Sequence, residues 1–218
     1  MCIRDRPNGG RIIDVGGCWG WHWRNLPRMG SDVEIFIVDF VRANLLHAKS
    51  LLGDSINRKV FLIHCDATDL LFPEDSFDGY WSVQALQHVV SFEKALNEAR
   101  RVLKHGGIFA NYSLNDATII RWIYRIMRRP YCRNGWVDGS FFLARASLEQ
   151  KQIIESIFQT EVHERFSEIL YKPELRLYFS GRESSLLGQV DAQLSGAPRS
   201  FDLKGMLARQ RSFHCQKQ

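Results

Sequence analysis

An α/β fold, with a doubly wound and mostly parallel sheet covered by helices on both faces, is predicted by three observations. Short apolar runs alternate with stretches at helical spacing through the first half of the 218 residues. Three of those runs end in an acid, at Asp14, Asp39 and Asp66. The first acid opens a glycine-rich turn, Asp14-Val15-Gly16-Gly17-Cys18-Trp19-Gly20, where a strand gives way to a helix. Glycines gather at such a junction when a ligand must touch the backbone. In open α/β sheets, ligands bind outside the carboxyl ends of the strands, which is where these acids fall.

Each element has its own signal. Arg11, Ile12 and Ile13 form the first strand. The second, 33–38, leads to Asp39, about 20 residues past the turn, where an acid can accept both hydroxyls of a ribose. Leu45, Leu46, Ala48, Leu51 and Leu52 then lie at helical spacing. The third strand, 60–65, precedes Asp66, and the fourth, 77–82, ends at Ser82. Phe92, Ala95, Leu96, Ala99, Val102 and Leu103 mark another helix, with Ser91 placed to cap its start and Gly106-Gly107 to stop it. Residues 107–112 read as a fifth strand. The second half is less regular: helices are predicted over 116–129 and 146–158, and strands over 161–170 and 207–214. The Gly/Ser-bearing stretch 181–200 reads as an insertion.

Glycine spacing restricts the ligand. A dinucleotide turn needs G-x-G-x-x-G so that the backbone can approach a pyrophosphate. Counted from Gly16, the later glycine positions fall on Cys18 and Trp21; counted from Gly17, the second falls on Trp19. Neither register fits. A nucleotide with an amino-acid tail in place of phosphates, S-adenosylmethionine, suits this turn better, and a nicotinamide-dependent oxidoreductase is disfavoured.

Further motifs extend the pattern. Asp14, Gly16 and Gly20 match an acid followed by alternating glycines, with Cys18 at the middle glycine's place and Gly17 beside it. Cys65-Asp66-Ala67-Thr68-Asp69-Leu70-Leu71-Phe72-Pro73-Glu74-Asp75-Ser76-Phe77-Asp78, Ala85-Leu86-Gln87-His88-Val89 and Arg101-Val102-Leu103-Lys104-His105-Gly106-Gly107 follow, the last with His105 where proline is usual. On these motifs, residues 11–114 resemble the class I S-adenosylmethionine-dependent methyltransferases, in particular the ubiquinone/menaquinone-biosynthesis branch. The resemblance implies a Rossmann-like, seven-stranded sheet completed by two final strands, and S-adenosyl-L-methionine as cofactor. It also implies roles for single residues. Asp14 reaches toward the methionine ammonium, with Gly16, Gly17 and Gly20 along the methionine tail. Asp39 takes the ribose hydroxyls, and Phe40 covers the adenine. Asp66 meets the adenine amino group with Ala67 near the ring, while Ser82 and Val83 border the methionine end.

Side-chain candidates for chemistry are few. His88 follows the fourth strand and is the candidate general base for a hydroxyl acceptor; packing or capping of its helix is the competing role. His22 lies among Trp19, Trp21 and Trp23, a cluster whose expected role is packing, with a cation–π contribution to a sulfonium as the alternative. Asn111 and Tyr112, ending the fifth strand, are placed to face an acceptor. Methyl transfer from a sulfonium asks mainly for alignment, since the donor is already activated. The expected function is methyl transfer to a small-molecule or lipid-linked acceptor. A catalytically silent, S-adenosylmethionine-binding regulator is the alternative, motivated by Cys18. After the fourth strand the chain reads Ser82-Val83-Gln84-Ala85, not the Asn/Asp-Pro-Pro-aromatic motif of enzymes acting on DNA bases, so no nucleic-acid partner is expected.

Composition sets the outer bounds. An apolar content of 45% with 24% charge is that of an ordinary globular protein. Cys2, Cys18, Cys65, Cys132 and Cys215 show no metal-ligand spacing, so no metal is expected, and a reducing, cytoplasmic setting is. Met1-Cys2-Ile3-Arg4-Asp5-Arg6 can be encoded by a sequencing-library transposon end, which leaves 7–218 as a single methyltransferase domain. Within it, 11–114 is the cofactor-binding core and 115–218 the acceptor-side elaboration with the final strands. Basic side chains outnumber acidic ones 16 to 10 over 117–218, against 13 to 14 before it. In the helix expected over 116–129, Ile119, Ile120, Trp122, Ile123, Ile126 and Met127 share one face and Arg121, Arg125, Arg128 and Arg129 the other. That pattern suits a lid over the domain, or a peripheral contact with an anionic membrane.

Overall fold

The computed structural model describes residues 10–26, 32–115, 122, 125–126, 128, 148–169, 181–196 and 203–218. Seven strands form one sheet: β1 (Gly10–Val15), β2 (Val33–Asp39), β3 (Val60–His64), β4 (Phe77–Val83), β5 (Leu103–Leu114), β6 (His163–Ser167) and β7 (Gln210–Gln216), in the order β3-β2-β1-β4-β5-β7-β6. β1 pairs in parallel with β2 and β4, and β2 with β3. The backbone pairings Gly106 with Lys217 and Asn115 with Arg209 make β7 antiparallel to β5. This is the Rossmann-like sheet expected, and its strand order reverses at β1.

The chain divides into two compact units, one of Met1–Asn111, Lys151–Val162 and His214–Gln218, the other of Tyr112–Gln150 and His163–Phe213. In the first, β1 and β2 are buried because Ile12, Ile13, Ile35 and Ile37 fill both faces of the sheet, as parallel strands require. Helix α1 (Arg42–Leu52) buries Leu45, Ala48 and Leu52. Leu46 and Leu51, assigned to the same face from sequence, are exposed, because a two-turn stripe at 45, 48 and 52 leaves them off its edge. Helix α2 (Phe92–Val102) buries Phe92, Ala95, Leu96, Ala99 and Val102, each larger side chain contributing about 1.5–3 kcal/mol. Helix α3 (Leu148–Phe158) ends in Phe158, whose ring lies 4.8 Å from that of Phe109.

Several boundaries differ from the sequence reading. The glycine turn leads into a single 3-10 turn, Trp21–Trp23, held by the Trp23 amide on the Gly20 carbonyl. Ser91 precedes α2 but makes no side-chain cap; its carbonyl accepts the Ala95 amide. α2 passes directly into β5 at Leu103, so Gly106 and Gly107 bend a strand and do not stop a helix.

In the second unit, helix α4 (Gly181–Gly196) occupies the stretch read as an insertion. The helix formers between its glycines and serines, Leu186, Leu187, Gln189, Ala192 and Leu194, outweigh them. Asp191 on α4 accepts the Glu168 amide at 3.1 Å. The short α5 (Leu203–Leu207) precedes β7, which starts three residues later than expected and carries the buried Arg211, paired with Glu164. Of the helix expected over 116–129, Trp122, Arg125 and Ile126 are helical and Arg128 sits in a turn at φ 50°. The rest of that stretch and residues 1–9 lie outside the described residues. Among the described residues, no helix is long and apolar enough to cross a membrane.

Candidate functional site

A cavity of about 750 Å³ opens at the carboxyl ends of β1 to β4. Its walls come from the turn after β1 (Gly16, Cys18), the end of β2 with the start of α1 (Asp39, Phe40, Val41, Asn44), the loop after β3 (Cys65 to Thr68) and the segment 83–91. A smaller cavity of about 130 Å³ adjoins it, sharing Gly16, Cys18 and Val83 and adding Asp14, Gly17, Trp19, Trp21 and His22.

The turn is shaped by close packing. The amides of Gly16 and Gly17 both reach the Val38 carbonyl, at 2.7 and 3.3 Å, which pins the turn to β2. Gly16 has φ 72°, and a Cβ there would lie 2.1 Å from the Ala85 Cβ. A Cβ on Gly17 would lie 2.7 Å from Asp14 Oδ2. Cys18, with φ 49°, adopts the left-handed conformation a glycine would take, and its amide donates to Asp39 Oδ2 at 3.0 Å. The loop path therefore survives the Gly-Gly-Cys order, at a cost in strain of about 1–2 kcal/mol.

The three acids differ in environment. Asp14 is buried; Trp23 Nε1 donates to its Oδ2 at 2.6 Å, and its Oδ1 has no partner among the described residues. Burial pushes its pKa up to about 7 against the Trp23 hydrogen bond, with the nearby Asp39 charge adding to the rise. Asp39 Oδ1 accepts the Val41 amide at 2.8 Å and Asn44 Nδ2 at 3.1 Å. With Cys18 on Oδ2, three of roughly four carboxylate acceptor positions are filled, and the open one is on Oδ2. Asp66 is exposed at the rim; its Oδ1 accepts the Thr68 amide at 2.8 Å. Phe40 is also exposed there, 72% of its surface accessible.

Of the residues proposed from sequence, Gly16, Asp39, Phe40, Asp66, Ala67, Val83 and His88 line the larger cavity, and Asp14 and Gly17 the smaller. Gly20 and Ser82 line neither: Gly20 faces Leu52 and Ile37, and Ser82 is fully buried. Asn111, also fully buried, and Tyr112 line neither as well. His88 is half-buried, and burial lowers its pKa, which favours the neutral imidazole. Gln87 Nε2 lies 3.2 Å from its Nε2. Trp23 packs in the core and holds Asp14, whereas Trp19 and Trp21 are half-exposed, with Arg24 stacked 4.0 Å over the Trp21 ring. Sequence reading assigned no site role to Asn44 or to the residues flanking His88 that also line the cavity, Gln84, Ala85, Leu86, Val89, Val90 and Ser91. Asn44's only signal is its place in the first helical turn after a strand-end acid.

Known proteins similar to this chain are methyltransferases. Residues 13–111, β1 through most of β5, match the family model described as "Methyltransferase domain". Over these residues the chain is similar to the class I S-adenosylmethionine-dependent methyltransferases. It is 26% identical over 180 residues to a malonyl-[acyl-carrier protein] O-methyltransferase of Buchnera aphidicola subsp. Baizongia pistaciae, covering 81% of this chain and 70% of that one. It is 34% identical over 116 residues to a demethylmenaquinone methyltransferase of Clavibacter sepedonicus, covering 52% and 45%. This methyltransferase chain thus spans under half of that second relative. A phosphoethanolamine N-methyltransferase 2 of Haemonchus contortus, solved with S-adenosyl-L-methionine, has the same fold: TM-score 0.60 at 17% identity, over 97% of this chain and 49% of that one.

The residues of this methyltransferase site fit S-adenosylmethionine. A buried carboxylate oxygen without a partner, on Asp14, suits an ammonium. An open acceptor position on Asp39 suits a ribose hydroxyl. The backbone at Gly16 and Gly17 has no room for side chains.

Proposed function

We propose that this protein transfers a methyl group from S-adenosylmethionine to a small-molecule or lipid-linked acceptor. The observation that carries the proposal is the alignment of Asp14, Asp39 and Asp66 along adjoining cavities at the carboxyl ends of β1, β2 and β3. When bound, S-adenosylmethionine supplies an already activated methyl group. Asp14 Oδ1 would pair with its ammonium, and Asp39 Oδ2 would accept one ribose hydroxyl. Holding the second hydroxyl requires Asn44 to give up its bond to Oδ1. Phe40, Asp66 and Ala67 would hold the adenine.

The remaining wall points to the acceptor. Val83, Leu86, Val89 and Val90 line it with aliphatic surface, which supports an apolar acceptor. The two relatives are named for a malonyl-[acyl-carrier protein] and for demethylmenaquinone. His88, held neutral by burial, can accept a proton from an acceptor hydroxyl. Two exposed apolar side chains, Trp122 and Ile126, with Arg125 5.7 Å over the Trp122 ring, support a peripheral contact with an anionic membrane.

Methyl-labelled S-adenosylmethionine, offered with a panel of quinone precursors, acyl-carrier thioesters and free carboxylic acids, tests the function. Label transfer to one class, lost in Asp39→Ala, is the expected result. Binding without transfer to any class favours the regulatory alternative.

A further inference from the structure

The loop 65–76 carries Asp66 and Ala67 and is tied down from outside the cavity. Leu70 is its buried anchor, 3% exposed. From α2, Arg101 Nη2 donates to the Leu70 carbonyl at 2.9 Å and Nη1 to the Phe72 carbonyl at 2.7 Å. Glu98 Oε2 accepts the Leu70 amide at 2.8 Å. The same two side chains pair with each other through Nε to Oε1 and Nη2 to Oε2, both at 2.7 Å. The carbonyl of Arg101 also accepts the Asp75 amide at 3.1 Å, so one residue grips the loop near both its middle and its end. Within the loop, the Thr68 amide on Asp66 Oδ1 and the Asp69 amide on the Asp66 carbonyl pass that grip on to Asp66.

Neither Arg101 nor Glu98 lines the cavity. A planar guanidinium with a fixed fork of donors serves two carbonyls and a carboxylate at once, which a lysine ammonium on a flexible stem does not reproduce. Other ties of the loop, the Phe72 ring against Phe36 and Phe77 and the Ser76 amide on the Val102 carbonyl, lie toward its β4 end, farther along the chain from Asp66 than Leu70 is. We propose that Arg101 and Glu98 are positioning residues for the nucleobase end of the site, holding the loop so that Asp66 selects a base with an amino group over one with a carbonyl. The proposal rests on reading the cavity as the S-adenosylmethionine site. It predicts that base selectivity, not affinity as a whole, depends on α2.

The test is calorimetric titration of wild type, Arg101→Met, Arg101→Lys and the milder Glu98→Gln with S-adenosylhomocysteine and with its deaminated analogue, S-inosylhomocysteine. Thermal melts of each variant are recorded alongside. Wild type is expected to prefer the adenosyl compound by about tenfold, the scale of one hydrogen bond. Arg101→Met should weaken adenosyl binding to the level of inosyl binding while leaving the latter within about twofold. Glu98→Gln should lose part of the preference, and Arg101→Lys should restore little of it. Both ligands weakening together in the variants, or a preference unchanged in Glu98→Gln and Arg101→Met, overturns the proposal alone. So does wild type that binds both compounds equally. Wild type that binds neither overturns the cofactor reading with it.

Discussion

Buried beside Trp23, the Asp14 carboxyl has its pKa pushed up from 3.8 to about 7, so between these values the folded chain holds a proton that the unfolded chain has released. Stability without ligand therefore falls as pH rises through that window, and levels off above it. Asp14→Asn, which mimics the protonated acid, should melt at nearly the same temperature from pH 5 to pH 8, and above wild type at pH 8; equal pH slopes in the two proteins would contradict this origin. An ammonium against Oδ1 favours the charged acid, so wild-type affinity for S-adenosylhomocysteine should strengthen toward pH 8, while the variant's should not. Cys18 offers a second test. Glycine there relieves about 1–2 kcal/mol of left-handed strain and adds about 0.5–1 kcal/mol of chain entropy, while keeping the amide bond to Asp39. Cys18→Gly should be as stable as wild type or up to about 1.5 kcal/mol more so in urea titrations, with cofactor affinity kept or improved. A folded variant that no longer binds would assign the thiol a positive role.

At the scale of elements, α4 carries a glycine, Gly188, whose added Cβ would meet nothing within 4 Å. Gly188→Ala should therefore stabilise the protein by about 0.5–1 kcal/mol, read from the urea midpoint at unchanged slope. Destabilisation would mean that the helix is shorter than Gly181–Gly196. This helix was not legible in the sequence because glycine and serine at 181, 184, 185 and 188 mask the leucines between them. The strands that build the site were legible as short apolar runs, the first three of them leading to an acid and the fourth to Ser82. Their continuations were less so. Leu46 and Leu51 satisfy helical spacing in a chain with no partner in view, and only the packed sheet shows which stripe is buried. Asn44 and the left-handed Cys18 belong to a hydrogen-bond arrangement around Asp39 that no linear spacing encodes.

On the whole-molecule scale, the site is a property of the fold before it is one of any side chain. Parallel pairing of β1 with β2 and β4 brings residues 14, 39 and 83 to one edge of the sheet, and β3 adds residue 66. A ligand that binds only this folded edge must stabilise it. At a hundredfold excess over its dissociation constant, S-adenosylhomocysteine should add about 2.7 kcal/mol to the unfolding free energy. The central claim, that the cavity is an S-adenosylmethionine site organised by Asp39, is tested most directly by calorimetric titration of S-adenosylhomocysteine into wild type and Asp39→Ala. Wild type should bind and the variant should bind about 5- to 150-fold more weakly, with no heat from NAD in either. Equal affinity in the two proteins, or NAD competing for the site, would contradict it.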